Sequence, residues 1–194
     1  MSIATRVYLV RHGQTALNAE GRLRGFIDPP LNETGLAEVA ETGSELAAFK
    51  PAMVLSSPMQ RAIETSQAIG NAAGIPVRVE PRLNGRDYGP QAGRFVADVE
   101  KEFGSVDQAP GVEPIETFLK RVRRAFFELI VEFGPGPLVM VSHDAFNLTL
   151  VKQLDPSLTH VWLPHLETAS WSQLSLVDGV WHVDSLNCKP ARVK

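Results

Sequence analysis

The sequence predicts an α/β fold, a three-layer sandwich whose mainly parallel central sheet is flanked by helices, with an antiparallel hairpin at the C-terminal edge. Three observations lead there. Short apolar runs of strand length alternate with longer segments whose apolar residues recur every three or four positions, the pattern of successive βαβ units. The clearest runs are apolar at consecutive positions, as strands covered on both faces require. Near the C-terminus, Asp178-Gly179 joins two strand-length segments and reads as a tight hairpin turn.

Each element follows in order. Val7–Val10 is the first buried strand, and Leu36, Val39, Ala40, Gly43, Leu46 and Ala47 mark an amphipathic helix. Met53–Leu55 is a second strand. Ser57-Pro58-Met59-Gln60 then reads as an N-cap, a proline at N1 and a glutamine at N3, opening a helix that runs to about Ala73. Gly74 and Pro76 stop it, and Val77–Val79 is a third strand. The stretch Arg82–Gly111 is mostly loop with a short helix around Phe95–Phe103. A long helix follows, carrying Leu119, Val122, Phe126, Leu129, Ile130 and Phe133 on one face and ending at Gly134-Pro135. Leu138–Val141 is a fourth strand, about Ala145–Leu154 a helix, and Ser172–Val177 with Val180–Asp184 the hairpin.

The 194 residues suit one domain spanning 1–194, and 44% hydrophobic against 21% charged residues exclude wholesale disorder. A formal charge of −3 gives no support to a general nucleic-acid or membrane-surface binder. The single cysteine, Cys188, rules out an internal disulfide framework and a cysteine-based zinc cluster. The first residues lack a basic stretch followed by an apolar core, so a cytoplasmic location is expected. A homodimer is compatible with the sequence, and no motif specifies one.

Ligands of open α/β sheets collect at the carboxyl ends of the strands. There the chain places Arg11-His12-Gly13 after the first strand, Ser56-Ser57-Pro58 with Arg61 after the second, and Ser142-His143-Asp144 after the fourth. Taken singly, each arginine reads as solvated and each histidine as structural; their convergence on one edge points to a site. Two guanidiniums and two imidazoles form a donor-rich set without a carboxylate cage for a metal. Such a set suits a phosphoryl group, whose oxygens accept bidentate arginine hydrogen bonds. One neutral histidine can act as the nucleophile, with the other stabilising transferring charge. The helix opening at Pro58 would aim its N-terminus at the same anion.

Val10-Arg11-His12-Gly13-Gln14-Thr15-Ala16-Leu17-Asn18 resembles the signature of the histidine phosphatase (phosphoglycerate mutase-like) superfamily. The likeness continues through Gly25, Asp28, Pro30, Leu31 and Gly35, through Ser57–Ala62 with Thr65, and to His143. The resemblance implies a phosphatase that uses a phosphohistidine on His12 and needs no cofactor. It implies also that Arg11, Arg61 and His143 hold the phosphate and that Asn18 lines the pocket. The substrate class implied is a small phosphate ester.

One position departs from the pattern. Leu83-Asn84-Gly85-Arg86-Asp87-Tyr88-Gly89 matches a further signature of the larger branch, but Gly85 stands where that branch has the glutamate that protonates the leaving oxygen. Asp144, which follows His143, is the first candidate substitute, supported by resemblance to the acid-phosphatase branch; as a bland residue it would cap the following helix. Asp87 is the second, and its bland reading is a turn residue. A phosphatase preferring good leaving groups is the expectation. Phosphoglycerate mutase-type transfer is an alternative, favoured by the Leu83–Gly89 match and opposed by the short segment after it. A catalytically weak phosphate-ester-binding pseudoenzyme is another, favoured by Gly85 and opposed by His12.

The remaining candidates read as structural. His160, His165 and His182 lie away from the motifs, and Lys120, Arg123 and Arg124 occupy a solvent face. Arg121 matches a family arginine and is expected to support or contact substrate. Val112-Glu113-Pro114 alters the family's usual lead-in to that helix. Trp162, Trp171 and Trp181 are expected to pack a sheet edge or an interface.

Overall fold

The computed structural model describes residues 5–160 and 165–191. Six strands form one sheet: β1 (Arg6–Arg11), β2 (Met53–Ser56), β3 (Val77–Val79), β4 (Pro137–Ser142), β5 (Trp171–Val177) and β6 (Val180–Cys188). Their spatial order is β3-β2-β4-β1-β5-β6. The β3-β2, β2-β4 and β4-β1 pairs are parallel, and β1-β5 and β5-β6 are antiparallel, so the hairpin closes one edge. The α/β sandwich with a mainly parallel sheet is therefore as expected. Asp178 and Gly179 both take positive φ, 50° and 81°, the geometry a two-residue hairpin of this hand requires.

Strand parity explains the continuous apolar runs. Val7, Leu9, Leu55, Leu138 and Met140 face one side, where α5 (Ile115–Phe133) and α6 (Asp144–Leu154) bury Phe118, Val122, Phe126, Leu129, Phe146 and Leu150 against them. Tyr8, Val10, Val54, Val139 and Val141 face the other, against Leu46 of α2 (Glu33–Ala48) and Ala62 and Ile69 of α3 (Gln60–Ala73). Strands β1, β2 and β4 thus lose both faces to helices, which leaves no polar alternation to read in them. Trp181 meets Phe126 edge-on at 4.9 Å and Trp171 stands 6.4 Å from Phe49, so both pack the sheet as expected. Trp162 lies outside the described residues.

Two local expectations are corrected. A short helix, α1 (Ala16–Ala19), follows β1 with a reciprocal capping box between Thr15 and Asn18, too brief to show periodicity. The helix expected from Pro58 begins at Gln60, and Ser57 is not its cap. Instead both carboxylate oxygens of Asp28 accept from the Gln60 amide, at 2.8 and 2.9 Å. That carboxylate takes the N-terminal position envisaged for a ligand anion. Between β3 and α5 the chain is mostly loop, broken by α4 (Val96–Phe103).

Among the described residues no helix is long and apolar enough to cross a membrane. The same residues contain no group of three or more His, Cys, Asp or Glu placed to hold a metal ion.

The loop after β1 is held by close backbone approach to α2. A Cβ on Gly35 would lie 2.1 Å from the Gln14 carbonyl oxygen, a contact only a backbone shift can relieve. Gly35→Ala is expected to destabilise the fold by about 1–3 kcal/mol, measured as a lower urea midpoint with unchanged slope.

Candidate active site

Three parallel strand ends bring the predicted residues together. Arg11 closes β1 with the parity of Val7 and Leu9, which directs it to the α6 side. His12 follows, its amide donating to the Ser142 carbonyl of β4. Arg61 rises from the first turn of α3, and His143 is the backbone N-cap of α6. The imidazole centroids of His12 and His143 are 5.2 Å apart, at 64° to each other.

Hydrogen bonding fixes both tautomers. His12 Nδ1 lies 2.7 Å from the Gly13 carbonyl oxygen, which can only accept, so the ring proton is on Nδ1 and Nε2 carries a lone pair. Arg61 Nε donates to that lone pair at 3.3 Å. Arg61 Nη2, a donor, lies 3.5 Å from His143 Nδ1, so His143 carries its proton on Nε2 and donates it to Ser57 Oγ at 2.8 Å. Ser57 Oγ in turn donates a hydrogen bond to Asn84 Oδ1 at 3.3 Å. Burial, reinforced by neighbouring cations, holds both imidazoles well below the usual 6.5. Burial also lowers Arg11 and Arg61 to about 10, which leaves both fully charged at neutral pH.

Arg61 is the hub. Nη1 donates to Ile27 O at 2.9 Å and to Asp28 Oδ1 at 3.3 Å, and Nη2 to Gly25 O at 3.1 Å. Thr65 Oγ1 donates to the Arg61 carbonyl and accepts from the Gly13 amide, tying α3 to the loop that carries His12. Arg11 Nη1 donates to the Leu166 carbonyl and lies 3.8 Å from Asp144 Oδ2. Among the described residues, Arg11 Nε and Asn18 Nδ2 are buried without a partner. Such orphaned donors are costly unless a bound anion or water accepts from them.

Two cavities meet at this edge. One, about 40 Å³, is bounded by Arg24, Arg61, Gly85, Tyr88, His143 and Asp144. The other, about 440 Å³, is lined by Arg11, Asn18, Arg24, Tyr88, Asp144 and His165, among others. Arg24, Arg86, Tyr88 and Asp144 border both.

The two acid candidates part company here. Asp144 is the first residue of α6, not its cap; its Oδ1 accepts from the Leu166 amide at 2.7 Å and its Oδ2 faces Arg11. Asp87 lines a separate cavity of about 780 Å³ with Glu113, Arg121 and Arg124, and neither histidine borders it. Gly85 holds a position the sequence could not show. A Cβ there would stand 2.9 Å from His143 Cγ and 3.1 Å from Cδ2, so the ring of His143 packs directly on the glycine.

Several contributors escaped the sequence reading. Arg24 was not singled out; its only signal is the neighbouring Gly25, whose carbonyl Arg61 holds. His165, expected to be structural, is exposed on the rim of the larger cavity. Arg121 supports the site: it donates to the Asn84 and Gly85 carbonyls at 2.9 and 2.5 Å and pairs with Glu113 at 2.6 Å. Glu113 of the altered lead-in is thus one half of that clamp, and no substrate contact of Arg121 is needed to explain it. His182 is exposed on β6, and the side chain of His160 lies outside the described residues.

Comparisons with known proteins identify the family. The sequence profile of the histidine phosphatase superfamily, branch 1, matches residues 7–189. A bifunctional protein of Mycobacterium tuberculosis is 32% identical over 179 residues, which cover 87% of this chain and 49% of that protein, so the chain spans about half of that relative's length. The phosphatase PhoE of Bacillus subtilis is 25% identical over 183 residues, 94% of each chain. The structure of a mycobacterial glucosyl-3-phosphoglycerate phosphatase superposes with a TM-score of 0.84 at 26% identity, covering 96% of this chain and all of the other.

Two outcomes follow from the geometry. Gly85→Ala should lower turnover about tenfold or more with little change in melting temperature, because His143 must move aside. Gly85→Glu should fail to raise turnover for the same reason; a gain would mean the ring yields freely. His12, depressed in the folded state, is neutral there while the unfolded chain protonates, so stability present above pH 6.5 is lost on acidification below it. His12→Asn should flatten that acid-side decline in unfolding free energy.

Proposed function

Because the chain belongs to the histidine phosphatase superfamily, we propose that it is a phosphomonoesterase acting through a phosphohistidine on His12. The observation that carries the reading is the His12 tautomer: Nδ1–H bound to the Gly13 carbonyl leaves Nε2 as a lone pair facing the cationic set. A neutral imidazole at physiological pH is the form a nucleophile needs, and burial beside Arg61 favours that form. The named phosphatases among the relatives support the same reaction class.

The proposed sequence balances. His12 Nε2 attacks phosphorus in line, forming the N–P bond as the ester P–O bond breaks. Arg11 Nε and Asn18 Nδ2 supply donors to the non-bridging oxygens, Arg61 Nε exchanges its bond to His12 Nε2 for one to a phosphoryl oxygen and so frees the nucleophile, and neutral His143 adds its edge as charge shifts in the transition state. Asp144 is assigned the general-acid role, its carboxyl group giving a proton to the leaving oxygen. The resulting carboxylate accepts a proton from the water that attacks the phosphohistidine, the N–P bond breaks, and orthophosphate leaves with His12 restored. The positive charge comes from guanidiniums, so the mechanism calls for no metal ion.

Asp144 is favoured over Asp87 because it borders the cavities that contain His143, Arg61 and Arg11, whereas Asp87 accepts from the Gly89 amide on another face. Asp144→Asn should lower kcat for alkyl phosphates by about 10²–10⁴-fold and for p-nitrophenyl phosphate much less, since nitrophenolate leaves without a proton. His12→Ala should abolish both. Equal loss on the two esters in Asp144→Asn would remove it as the acid. Activity surviving in His12→Ala would overturn the reading as a whole.

A further inference from the structure

Arg24 is a charge the proposed reaction does not use. Arg11 and Arg61 already face the phosphoryl position, and their donors are largely engaged with Leu166, Ile27 and Gly25 carbonyls. Arg86, across the same cavity, is neutralised by Asp107 and by two bonds to the Glu113 carbonyl. Arg24 differs from all three. Nη1 donates to the Arg22 carbonyl at 3.1 Å, and among the described residues no carboxylate lies within 4 Å of its guanidinium. An arginine offers five N–H donors, so most of Arg24's donors have no protein acceptor.

The backbone keeps it there. Leu23 donates to Arg94 O at 2.9 Å and Gly93 to Leu23 O at 2.7 Å on one side of Arg24, and Gly25 O is gripped by Arg61 on the other. Gly25 adopts a φ of +53°, and a Cβ there would meet the Tyr88 amide at 3.2 Å. The side chain borders both cavities, and its burial lowers its pKa, the mark of a cation partly removed from water. A half-buried guanidinium without a counter-ion is a ready partner for a ligand anion.

We propose that Arg24 binds a second anionic group on the substrate, a carboxylate or a further phosphate, in the 440 Å³ cavity beside the phosphoryl site, and so selects diacidic phosphate esters over neutral ones. This rests on the phosphomonoesterase reading. The cavity lies in the range that encloses small-molecule ligands. Of the guanidiniums lining it, Arg86 pairs with Asp107 and Arg11 faces Asp144, so Arg24 is the cation left to meet an added anion.

The test compares matched esters: ethyl phosphate with phosphoglycolate, phenyl phosphate with 3-carboxyphenyl phosphate, and propyl phosphate with propane-1,3-diol bisphosphate. The first two pairs probe a carboxylate and the third a phosphate. The wild-type chain should favour at least one acid-bearing member by about tenfold or more in kcat/KM, and Arg24→Gln should reduce that preference by about 10–100-fold, mainly through KM. Arg24→Lys, which keeps the charge but loses the fork, should fall between them, and it carries the comparison if the glutamine variant does not fold. Equal turnover of neutral and acidic members by the wild type would overturn the inference and leave the phosphatase standing. Proportional loss on both members in Arg24→Gln would also overturn it, by assigning Arg24 to the transferred phosphoryl group. If no ester is turned over, p-nitrophenyl phosphate included, the phosphatase reading fails and takes the inference with it.

Discussion

The buried guanidinium of Arg61 organises the site. One planar fork touches both imidazoles, the Gly25 and Ile27 carbonyls and the Asp28 carboxylate. Removing such a cation from water costs several kcal/mol unless its donors are met, and here each nitrogen has an acceptor. The consequences run outward. Because Arg61 only donates, the nitrogens facing it must accept, which sets the tautomers of His12 and His143. Because it grips two loop carbonyls, the segment carrying Arg24 is fixed relative to α3. Asp28 binds Arg61 and the α3 amide terminus together, so the helix start and the arginine orientation are one structural event. Lysine would supply charge without the fork and could not reproduce the set.

The sheet supplies the rest of the convergence. Parallel pairing of β4 with both β1 and β2 places three carboxyl ends side by side, and each delivers a different part of the cluster. Behind it, Arg121, paired with Glu113, clamps the Asn84–Gly85 backbone, while Ser57, itself bound to Asn84, holds the far nitrogen of His143. The glycine at 85 acquires a meaning that differs from a lost acid. In this chain the ring of His143 packs on the space the glycine's missing side chain leaves.

Most of the fold was legible in the sequence because it is governed by local pattern. Consecutive apolar residues in Val7–Val10 and Leu138–Val141 reflect two covered faces, and three-and-four spacing in α2 and α5 reflects one. The convergence of His12, Arg11, Arg61 and His143 on one sheet edge was legible through topology, since strand ends are where such sheets gather ligands. What was not legible depends on contacts between distant segments. Ser57 reads as a cap by local rules, yet its hydroxyl binds a histidine 86 positions away. The true cap, Asp28, comes from 32 residues earlier. The sequence could rank Asp144 ahead of Asp87 only by resemblance, whereas the structure sets them on different cavities. Arg24 has no periodicity or spacing to announce it, since its significance lies in the counter-ion it lacks.

The central claim is that His12, kept neutral with Nε2 directed at Arg61, receives the phosphoryl group. Alkaline quench of the enzyme during steady-state turnover of p-nitrophenyl phosphate, followed by peptide mapping by mass spectrometry, tests it directly. The account predicts an acid-labile, alkali-stable phosphoryl group on the His12 peptide alone, present during turnover and gone when substrate is exhausted. A phosphoryl group on His143 or on another side chain, or sustained turnover with no phosphoenzyme under conditions that preserve phosphohistidine, would contradict it.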